Sequence, residues 1–260
     1  MSEPDRRIHL AAEVGFGSAA DRYDRGRPSY PADAVAHLVS ELGIEPGRTV
    51  VDLAAGTGKF TASIVPTGAR ITAVEPVAAM RAVLERECPT VEAMDGTAEA
   101  MPLEDASVDA VVVAQAFHWF DGDRAVPEIR RVLRGRGRLG LIWNARDEAP
   151  AWSRRLTEIF DELAGPRDPR YKHGAWRSAF EGSDAFTPFE HRTFEHTHAV
   201  DRAAFLDRVL SVSYVASAPP DVRERIVHEV ERLLDTDPQL AGRESISMPY
   251  RTDVYVCAGC

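Results

Sequence analysis

Between residues 49 and 143, short apolar runs alternate with segments whose apolar residues recur at helical spacing. Near-continuous apolar strands that alternate with amphipathic helices are typical of a parallel sheet covered by helices on both faces. The predicted strands span residues 50–54, 70–74, 91–94, 108–114 and 138–143, and the predicted helices between them span 58–65, 78–87 and 123–134. This pattern predicts an α/β fold with a doubly wound, Rossmann-like sheet that is mostly parallel.

Helices are also predicted outside the alternating region. They span residues 32–42, 152–163, 201–214 and 221–234. Asp201 and Asp221 stand at the starts of the last two helices, where a side-chain oxygen can cap a free backbone N–H. Gly135 and Gly137 follow the helix at 123–134 and predict that it stops there.

Two extended segments complete the predicted sheet. Residues 189–200 and 247–257 have strand-like patterns, which brings the predicted sheet to seven strands. Residues 165–182, rich in Pro, Arg, Tyr and Trp, predict a loop. We expect the N-terminal arm and a late insertion at about 200–240 to form a helical cover over the sheet.

Acidic residues outnumber basic ones by 41 to 31, and the formal net charge is −10. A chain of this charge repels a phosphate backbone, so we expect no nucleic-acid partner. No apolar run reaches the roughly 18 residues that a membrane span requires, and the first residues lack the apolar core of a secretory signal. The three cysteines, Cys88, Cys257 and Cys260, do not suggest a disulfide framework and suit a reducing compartment. We therefore expect a cytoplasmic protein without a membrane partner, and the sequence leaves its oligomeric state open.

The most informative segment is a glycine-rich turn that follows the predicted strand at 50–54. Glycine lets the backbone approach a ligand closely, and the helix after the turn presents free N–H groups. Two nucleotide-binding patterns fail here. A P-loop requires glycine at Leu53 and serine or threonine at Phe60, and the dinucleotide fingerprint requires a third glycine at Thr61.

A third pattern fits this turn, namely an acid followed by small residues at alternating positions. It is met by Asp52, Ala54, Gly56 and Gly58. Glu75 ends the next predicted strand, where a carboxylate can accept both ribose hydroxyls of an adenosine. The turn and the acid together predict an adenosine site.

Two further segments are predicted to reach the same edge of the sheet. Residues 95–102 follow the third predicted strand, and residues 115–121 follow the strand at 108–114. In doubly wound sheets, ligands bind outside the carboxyl ends of the strands, at the switch point between the first and fourth strands. Separate segments of the chain therefore converge on one adenosine-sized crevice.

With these motifs the chain resembles a class I S-adenosylmethionine-dependent methyltransferase of the small-molecule type 11 group, and it is similar to trans-aconitate methyltransferases. The resemblance covers about residues 16–147. Its motifs are Ala20-x-x-Tyr23, Arg27-Pro28, Tyr30-Pro31, the turn at 52–58, Glu75-Pro76, Ala98-Glu99, Met101-Pro102, Gln115-x-Phe117-His118-Trp119-Phe120, Trp143-Asn144-x-Arg146-Asp147 and the late Pro249-Tyr250-Arg251-Thr252. Two positions depart from the family pattern. Ala54 replaces the usual first glycine, and Thr97 stands where many relatives have an aspartate for the adenine amino group.

The resemblance implies S-adenosylmethionine as the cofactor and a small-molecule acceptor that is methylated at oxygen, nitrogen or a carboxylate by in-line displacement. It places the turn against the methionine end and the ribose, Glu75 on the ribose diol, and Ala98 beside the adenine. The implied cofactor-binding residues are Asp52, Ala54, Gly56, Thr57, Gly58, Glu75, Pro76, Met80, Thr97, Ala98, Glu99, Gln115, Ala116 and Phe117. The expected domains are an N-terminal arm and lid helix at 1–45, a cofactor-binding core at 46–148, and a segment at 149–260 that completes the sheet and carries the cover.

The acceptor side is assigned to a second set of residues. They are Tyr23, Arg27, Tyr30, His118, Trp119, Trp143, Asn144, Arg146 and Tyr214. The aromatic residues Trp119, Trp143, Phe205 and Tyr214 favour a partly apolar acceptor. If the acceptor must lose a proton, His118 is the first candidate for the catalytic base and Tyr23 the second.

Alternatives remain at this stage. A nicotinamide-dependent oxidoreductase could use a similar sheet, and a non-catalytic S-adenosylmethionine-binding protein could have the same crevice. His191, His196 and His198 lack the carboxylate or cysteine spacing of a metal site, so we expect solvated strand histidines and no metal. Cys257 and Cys260 have CxxC spacing, but no second pair supports a redox role.

Overall fold

The computed structural model describes residues 28–164, 174–216 and 218–260. Its strands are β1 Thr49–Leu53, β2 Arg70–Val74, β3 Glu92–Met94, β4 Val108–Ala114, β5 Leu133–Arg146, β6 Glu190–Val200 and β7 Ile246–Ala258. Its α-helices are α1 Ala32–Leu42, α2 Lys59–Ile64, α3 Ala78–Glu87, α4 Gly122–Val132, α5 Ala151–Ala164, α6 Arg202–Leu210, α7 Ser213–Ala216 and α8 Pro220–Thr236. Short 3₁₀-helices span Val65–Thr67, Phe117–Trp119 and Ala175–Phe180.

Within these ranges the seven strands form one sheet in the order β3-β2-β1-β4-β5-β7-β6. β1 pairs in parallel with both β2 and β4, and the pairs β2–β3 and β4–β5 are also parallel. The carboxyl ends of these strands therefore share one edge, and the chain reverses its strand order between β1 and β4. The predicted doubly wound, mostly parallel sheet is confirmed.

The described chain separates into two compact units. The first comprises the described residues of Ser29–Asn144, Pro169–Phe194 and Thr252–Cys260, and the second those of Ala145–Asp168 and Glu195–Arg251, with Pro28. No helix in the described ranges is long and apolar enough to cross a bilayer.

The first unit buries both faces of its strands, as the apolar runs predict. Val51 and Val111 belong to one hydrophobic cluster, and Val50 and Val112 belong to another. Neighbouring residues of a strand point to opposite faces, so the two clusters are two layers of core separated by the sheet. A Cβ at Gly140 would lie 2.7 Å from a methyl carbon of Leu38 in α1, which indicates how closely this helix approaches β5.

The second unit has its own hydrophobic core. Leu156, Phe205 and Val230 are fully buried and come from α5, α6 and α8 respectively. Trp152 adds an aromatic contact, with its ring centre 6.1 Å from that of Phe205. Phe205 is thus part of a helical core.

Two of the predicted helices differ in detail. The helix predicted at 201–214 is interrupted, because α6 ends at Leu210 and α7 begins at Ser213. Ser211 donates its hydroxyl to the backbone oxygen of Arg208 at 2.7 Å, a local bond that competes with helix continuation. Asp201 caps α6 by accepting from the N–H of Ala204, as predicted.

The prediction that Asp221 caps α8 is wrong. The helix begins at Pro220, and Pro219 occupies the cap position without a side-chain hydrogen bond. Proline is well suited to the first helical position, because its missing N–H would be unpaired there anyway. Asp221 lies in the first turn of the helix.

The strand predicted at 138–143 is longer in the structure, and one short helix was not predicted. β5 begins at Leu133, directly after α4, so Gly135 and Gly137 lie inside the strand and do not follow the helix as stop signals. The β4–β5 register shifts between Val108 and Ala110, and glycine suits such an irregularity. Within the predicted loop at 165–182, residues 175–180 form a 3₁₀-helix instead.

Candidate active site

The glycine-rich turn joins β1 to α2 with a backbone conformation that few side chains tolerate. Ala54, Gly56 and Gly58 have φ values of +56°, +60° and +84°. A Cβ at Gly58 would lie 2.9 Å from Leu84 Cγ, so glycine is needed there for both space and conformation. Ala54 does carry a Cβ, and its left-handed backbone is strained. Strain of this kind concentrates at ligand-binding sites.

Asp52 lies at the end of β1 and is fully buried. Thr61, in α2, donates its hydroxyl to Asp52 Oδ2 at 2.6 Å. Oδ1 has no hydrogen-bond partner among the described residues. Burial raises the pKa of Asp52 from 3.8 to about 7; the hydrogen bond from Thr61 opposes this, and the nearby charge of Glu75 adds to the increase. Asp52 therefore gains or loses its proton close to neutral pH.

Glu75 links the turns that follow β1 and β2. Its Oε2 accepts from the N–H of Gly56 at 2.9 Å, and its Oε1 accepts from the N–H of Val77 at 2.9 Å. Its side chain is buried, which raises its pKa, although the two backbone N–H groups act in the opposite direction. The carboxylate is thus fixed in position by the backbone of two loops.

The loop after β3 contributes a shorter segment to this edge. Ala98 is buried, whereas Thr97 and Glu99 are partly exposed. Thr97 forms a backbone bridge with Ala100. Glu99 Oε1 accepts from the N–H of Asp121 at 3.0 Å, which ties this loop to the one after β4.

Three more predicted cofactor residues lie around the first two turns. Thr57 and Met80 are buried, and Pro76 is partly exposed. A Cβ placed on Gly56 would be 3.9 Å from the Met80 sulfur. The Met80 side chain therefore lies beneath the glycine turn.

The loop after β4 begins with a second strained residue. Gln115 has a φ of +62°, and its N–H extends the ladder to β5 by donating to Ile142 at 2.9 Å. Its side-chain amide donates to the backbone oxygen of Asn144 at 3.2 Å. After the partly exposed Ala116, Phe117 is buried and anchors the 3₁₀-turn in the core. This anchoring leaves the next two residues at the sheet edge.

His118 and Trp119 are both partly exposed, and their ring centres are 5.1 Å apart. His118 Nδ1 accepts from the indole Nε1 of Trp143 at 3.2 Å. Trp143 itself is fully buried, so its contribution to this edge is its hydrogen bond to His118.

Asn144 lies at the end of β5 within a network of hydrogen bonds. Its Nδ2 donates to the backbone oxygen of Ser29 at 3.3 Å, and its Oδ1 accepts from Thr252 Oγ1 at 2.6 Å. Tyr30, the residue after Ser29, contacts Phe60 of α2 edge-on, with ring centres 5.2 Å apart. Asn144 therefore connects three distant parts of the first unit.

Two predicted acceptor residues, Arg146 and Tyr214, belong to the second unit. Arg146 donates from Nε to Ser153 Oγ at 3.1 Å and from Nη2 to Thr157 Oγ1, so its guanidinium contacts α5. Tyr214 lies in α7. Tyr23 and Arg27, which were also predicted to contact the acceptor, lie outside the described residues.

Two of the three histidines that were weighed as metal ligands, His191 and His196, contact aromatic or acidic side chains. His191 Nε2 lies 3.0 Å from Oδ1 of the buried Asp253, and the His191 ring stacks on Tyr255. His196 stacks on the ring of Tyr250, with the ring centres 5.5 Å apart.

Sequence reasoning missed Thr61 and Trp176. In the sequence, Thr61 was considered only as the position where the dinucleotide fingerprint would have a glycine. Its place near the start of the predicted helix at 58–65, just after the strand that carries Asp52, is the signal that could have identified it as a partner of Asp52. Trp176 packs against Trp143, with ring centres 5.0 Å apart. It lies in the segment predicted as a loop, and no local pattern connects it to β5.

The chain is similar to known methyltransferases. A model of the methyltransferase domain matches residues 51–141. An uncharacterised methyltransferase of Mycobacterium bovis is 42% identical over 239 residues, which is 92% of this chain and 93% of the relative. An uncharacterised methyltransferase-like protein of Schizosaccharomyces pombe is 32% identical, over 88% of this chain and 90% of the relative.

A solved structure has the same fold. A candidate type II methyltransferase from Anaeromyxobacter dehalogenans is similar with a TM-score of 0.65 and 24% identity, and the match covers 90% of this chain and 97% of that one. The two sequence relatives match almost the whole chain, and both are named as methyltransferases or methyltransferase-like proteins. The chain therefore belongs to the class I S-adenosylmethionine-dependent methyltransferases.

Proposed function

We propose that the ends of β1 and β2 hold S-adenosylmethionine through Asp52, Glu75 and the turn at 54–58. The buried, unpartnered Oδ1 of Asp52 is the observation that carries this assignment. A buried acceptor without a donor costs about 1–3 kcal/mol, so a ligand that supplies a donor gains from pairing with it. The ammonium group of the methionine end is a donor of this kind. Two buried carboxylates also suit a cofactor with a positively charged sulfur.

Glu75 is assigned to the ribose diol. Each of its oxygens accepts one backbone N–H, and a carboxylate oxygen has a second lone pair for a hydroxyl. The same backbone donors hold the carboxylate in one orientation before any ligand arrives. The rest of the proposed cofactor site is formed by Ala54, Gly56, Thr57, Gly58, Pro76, Met80, Thr97, Ala98, Glu99, Gln115, Ala116 and Phe117.

The rate of methyl transfer depends mainly on how the reacting groups are oriented. S-adenosylmethionine supplies a methyl group on a cationic sulfur, and this group is already activated for displacement. The chain must then align the acceptor and exclude water, which can contribute several kcal/mol to lowering the barrier. The backbones at Ala54 and Gln115 are strained, which indicates that the surrounding structure holds the two loops that border the switch point in one conformation.

We propose that the acceptor is a small, partly apolar molecule. The net charge of −10 disfavours nucleic acid, and the partly exposed rings of His118 and Trp119 offer an aromatic surface at the end of β4. Trp143 and Phe205 do not add to this argument, because both are buried in the cores of their units. The proposed acceptor residues in addition to His118 and Trp119 are Tyr23, Arg27, Tyr30, Asn144, Arg146 and Tyr214.

Whether a base is needed depends on the acceptor. A carboxylate is already deprotonated at neutral pH, whereas a hydroxyl, an ammonium group or a carbon acid must lose a proton. Tyr23 remains a candidate base from the sequence.

A cytoplasmic location is also proposed, supported by the three cysteines, which are all free thiols.

Calorimetric titration of the protein with S-adenosylhomocysteine tests the cofactor site. Glu75→Gln should weaken binding about 10- to 100-fold, because a hydrogen bond to a buried charged group is worth about 1.5–3 kcal/mol. Glu92→Gln is the matched control, since Glu92 is an exposed glutamate on the neighbouring strand β3. Equal affinity in both variants would contradict the assignment of Glu75.

The acceptor class can be tested by measuring release of S-adenosylhomocysteine from S-adenosylmethionine in the presence of different acceptors. The panel should contain small carboxylic acids, phenols and amines, with bulk tRNA and a protein extract as macromolecular arms. We expect turnover with a small molecule and its loss in Glu75→Gln. Turnover with the macromolecular arms alone would refute a small acceptor. Tight cofactor binding without turnover on any arm would favour a non-catalytic binding protein.

A further inference from the structure

The indole of Trp143 is held firmly at the carboxyl end of β5. Its ring packs on Trp176, with centres 5.0 Å apart, and meets Tyr255 edge-on at 5.9 Å. The side chain is fully buried, and its Nε1 donates to His118 Nδ1 at 3.2 Å. Because aromatic neighbours fix the ring, they also fix the direction of its N–H.

This hydrogen bond determines which nitrogen of His118 carries hydrogen. An indole N–H can only donate, so His118 Nδ1 must accept. A neutral imidazole has one acceptor nitrogen and one N–H, and its hydrogen is therefore on Nε2. A proton on Nδ1 would leave the buried Trp143 N–H without this acceptor, which is unfavourable.

We propose that Trp143 holds His118 as the Nε2–H tautomer, so that His118 donates a hydrogen bond to the methyl acceptor and does not remove its proton. The second half of this statement rests on the proposed function, which places His118 on the acceptor side. Trp143 is a positioning residue that acts through His118. His118, assigned from the sequence as the first candidate base, is thereby reassigned as a donor.

The backbone supports a fixed position for this donor. Phe117 is buried against Phe120, Trp176 and Phe180, so the 3₁₀-turn that carries His118 is anchored in the aromatic core. Trp176 contacts both Phe117 and Trp143, so one side chain packs against the indole and against the 3₁₀-turn that carries His118. A hydrogen-bond donor is most effective when its orientation is set in advance.

The tautomer can be read without any acceptor by nitrogen NMR of the full-length protein with ¹⁵N-labelled histidine. Spectra are recorded at about pH 9, where an ordinary imidazole is neutral. The His118 signals are identified as those that disappear in His118→Gln. We expect a protonated Nε2 and a bare Nδ1 at His118. In Trp143→Phe we expect a mixture of both tautomers, and a protonated Nδ1 in the unaltered protein would overturn the proposal.

Turnover of His118 variants tests the donor role separately. Glutamine can donate from its amide and accept from Trp143, but it cannot take up a proton near neutral pH. We expect His118→Gln to retain kcat within about tenfold of the unaltered enzyme, and His118→Ala to lose clearly more. If His118 removed the proton, both variants would lose about 100-fold or more. His228→Ala, at an exposed position on α8, is the matched control and should keep full turnover.

The two measurements separate this inference from the proposed function. If the NMR result is as expected but no small acceptor reacts, the tautomer assignment stands and the proposed function fails. If a small acceptor reacts and His118→Gln is as impaired as His118→Ala, the donor role of His118 is refuted while the proposed function stands. Because His118 is partly exposed and glutamine keeps an acceptor for the Trp143 N–H, turnover of His118→Gln tests the donor role even if Trp143→Phe does not fold.

Discussion

Replacing Asp52 by asparagine should change how the stability of the protein depends on pH. Burial raises the pKa of this carboxyl to about 7 in the folded chain, against 3.8 for an ordinary aspartate. Asparagine keeps a side-chain oxygen that can accept from Thr61, but it has no proton to lose. The comparison of the two proteins therefore follows the titration of Asp52, with its coupling to Glu75 included.

The sign follows from proton binding in the two states. As pH rises above 3.8, the unfolded chain loses the Asp52 proton, while the folded chain keeps it until about pH 7. The protonated carboxyl contributes stability that is fully present below pH 3.8 and is lost as pH rises through about 7. One pKa unit corresponds to about 1.4 kcal/mol, so the whole window is worth about 4 kcal/mol.

Urea unfolding of both proteins without ligand, at intervals between about pH 5 and pH 8, measures this effect. Taking the difference between the two proteins at each pH cancels the titration of groups that do not interact with Asp52. Over this range the unaltered protein should lose about 2.5 kcal/mol relative to Asp52→Asn, because only the aspartate is deprotonated on the way. A difference that stays constant with pH would refute the buried, proton-bearing state of Asp52.

Two pairs of substitutions, one pair in each unit, probe the backbone. Gly58→Ala should cost about 1–3 kcal/mol more than Gly47→Ala in thermal or urea unfolding, because both glycines have φ near +90° but only Gly58 has Leu84 against the added Cβ; equal losses would show that the glycine turn yields to the methyl group. Asp201→Ala should lower stability by about 1 kcal/mol through loss of the α6 cap, and Asp221→Ala by less, since Asp221 does not cap α8. A larger loss for Asp221→Ala in urea unfolding would contradict the observed cap positions.

The alternation of apolar strands and amphipathic helices was sufficient to predict the sheet. The strands at 70–74 and 108–114 and the helix at 32–42 have the predicted boundaries, because each has a clear period and ends at a break in that period. Pattern reasoning failed where a local interaction interrupts the period. The helix predicted at 201–214 is interrupted where the Ser211 hydroxyl bonds to the backbone, and the irregular pairing near Val108 hides the beginning of β5.

The sequence alone determined the family and the elements that carry the cofactor residues. Asp52 and Glu75 follow from local pattern, since each stands where an apolar strand gives way to a turn. Only the tertiary structure decided the chemical state of these and the other site residues. The high pKa of Asp52 arises from complete burial, and the tautomer of His118 arises from an indole 25 residues away on another strand. Burial and hydrogen bonding across elements depend on how the strands and helices pack, and the periodicity of one segment carries no information about its neighbours in space.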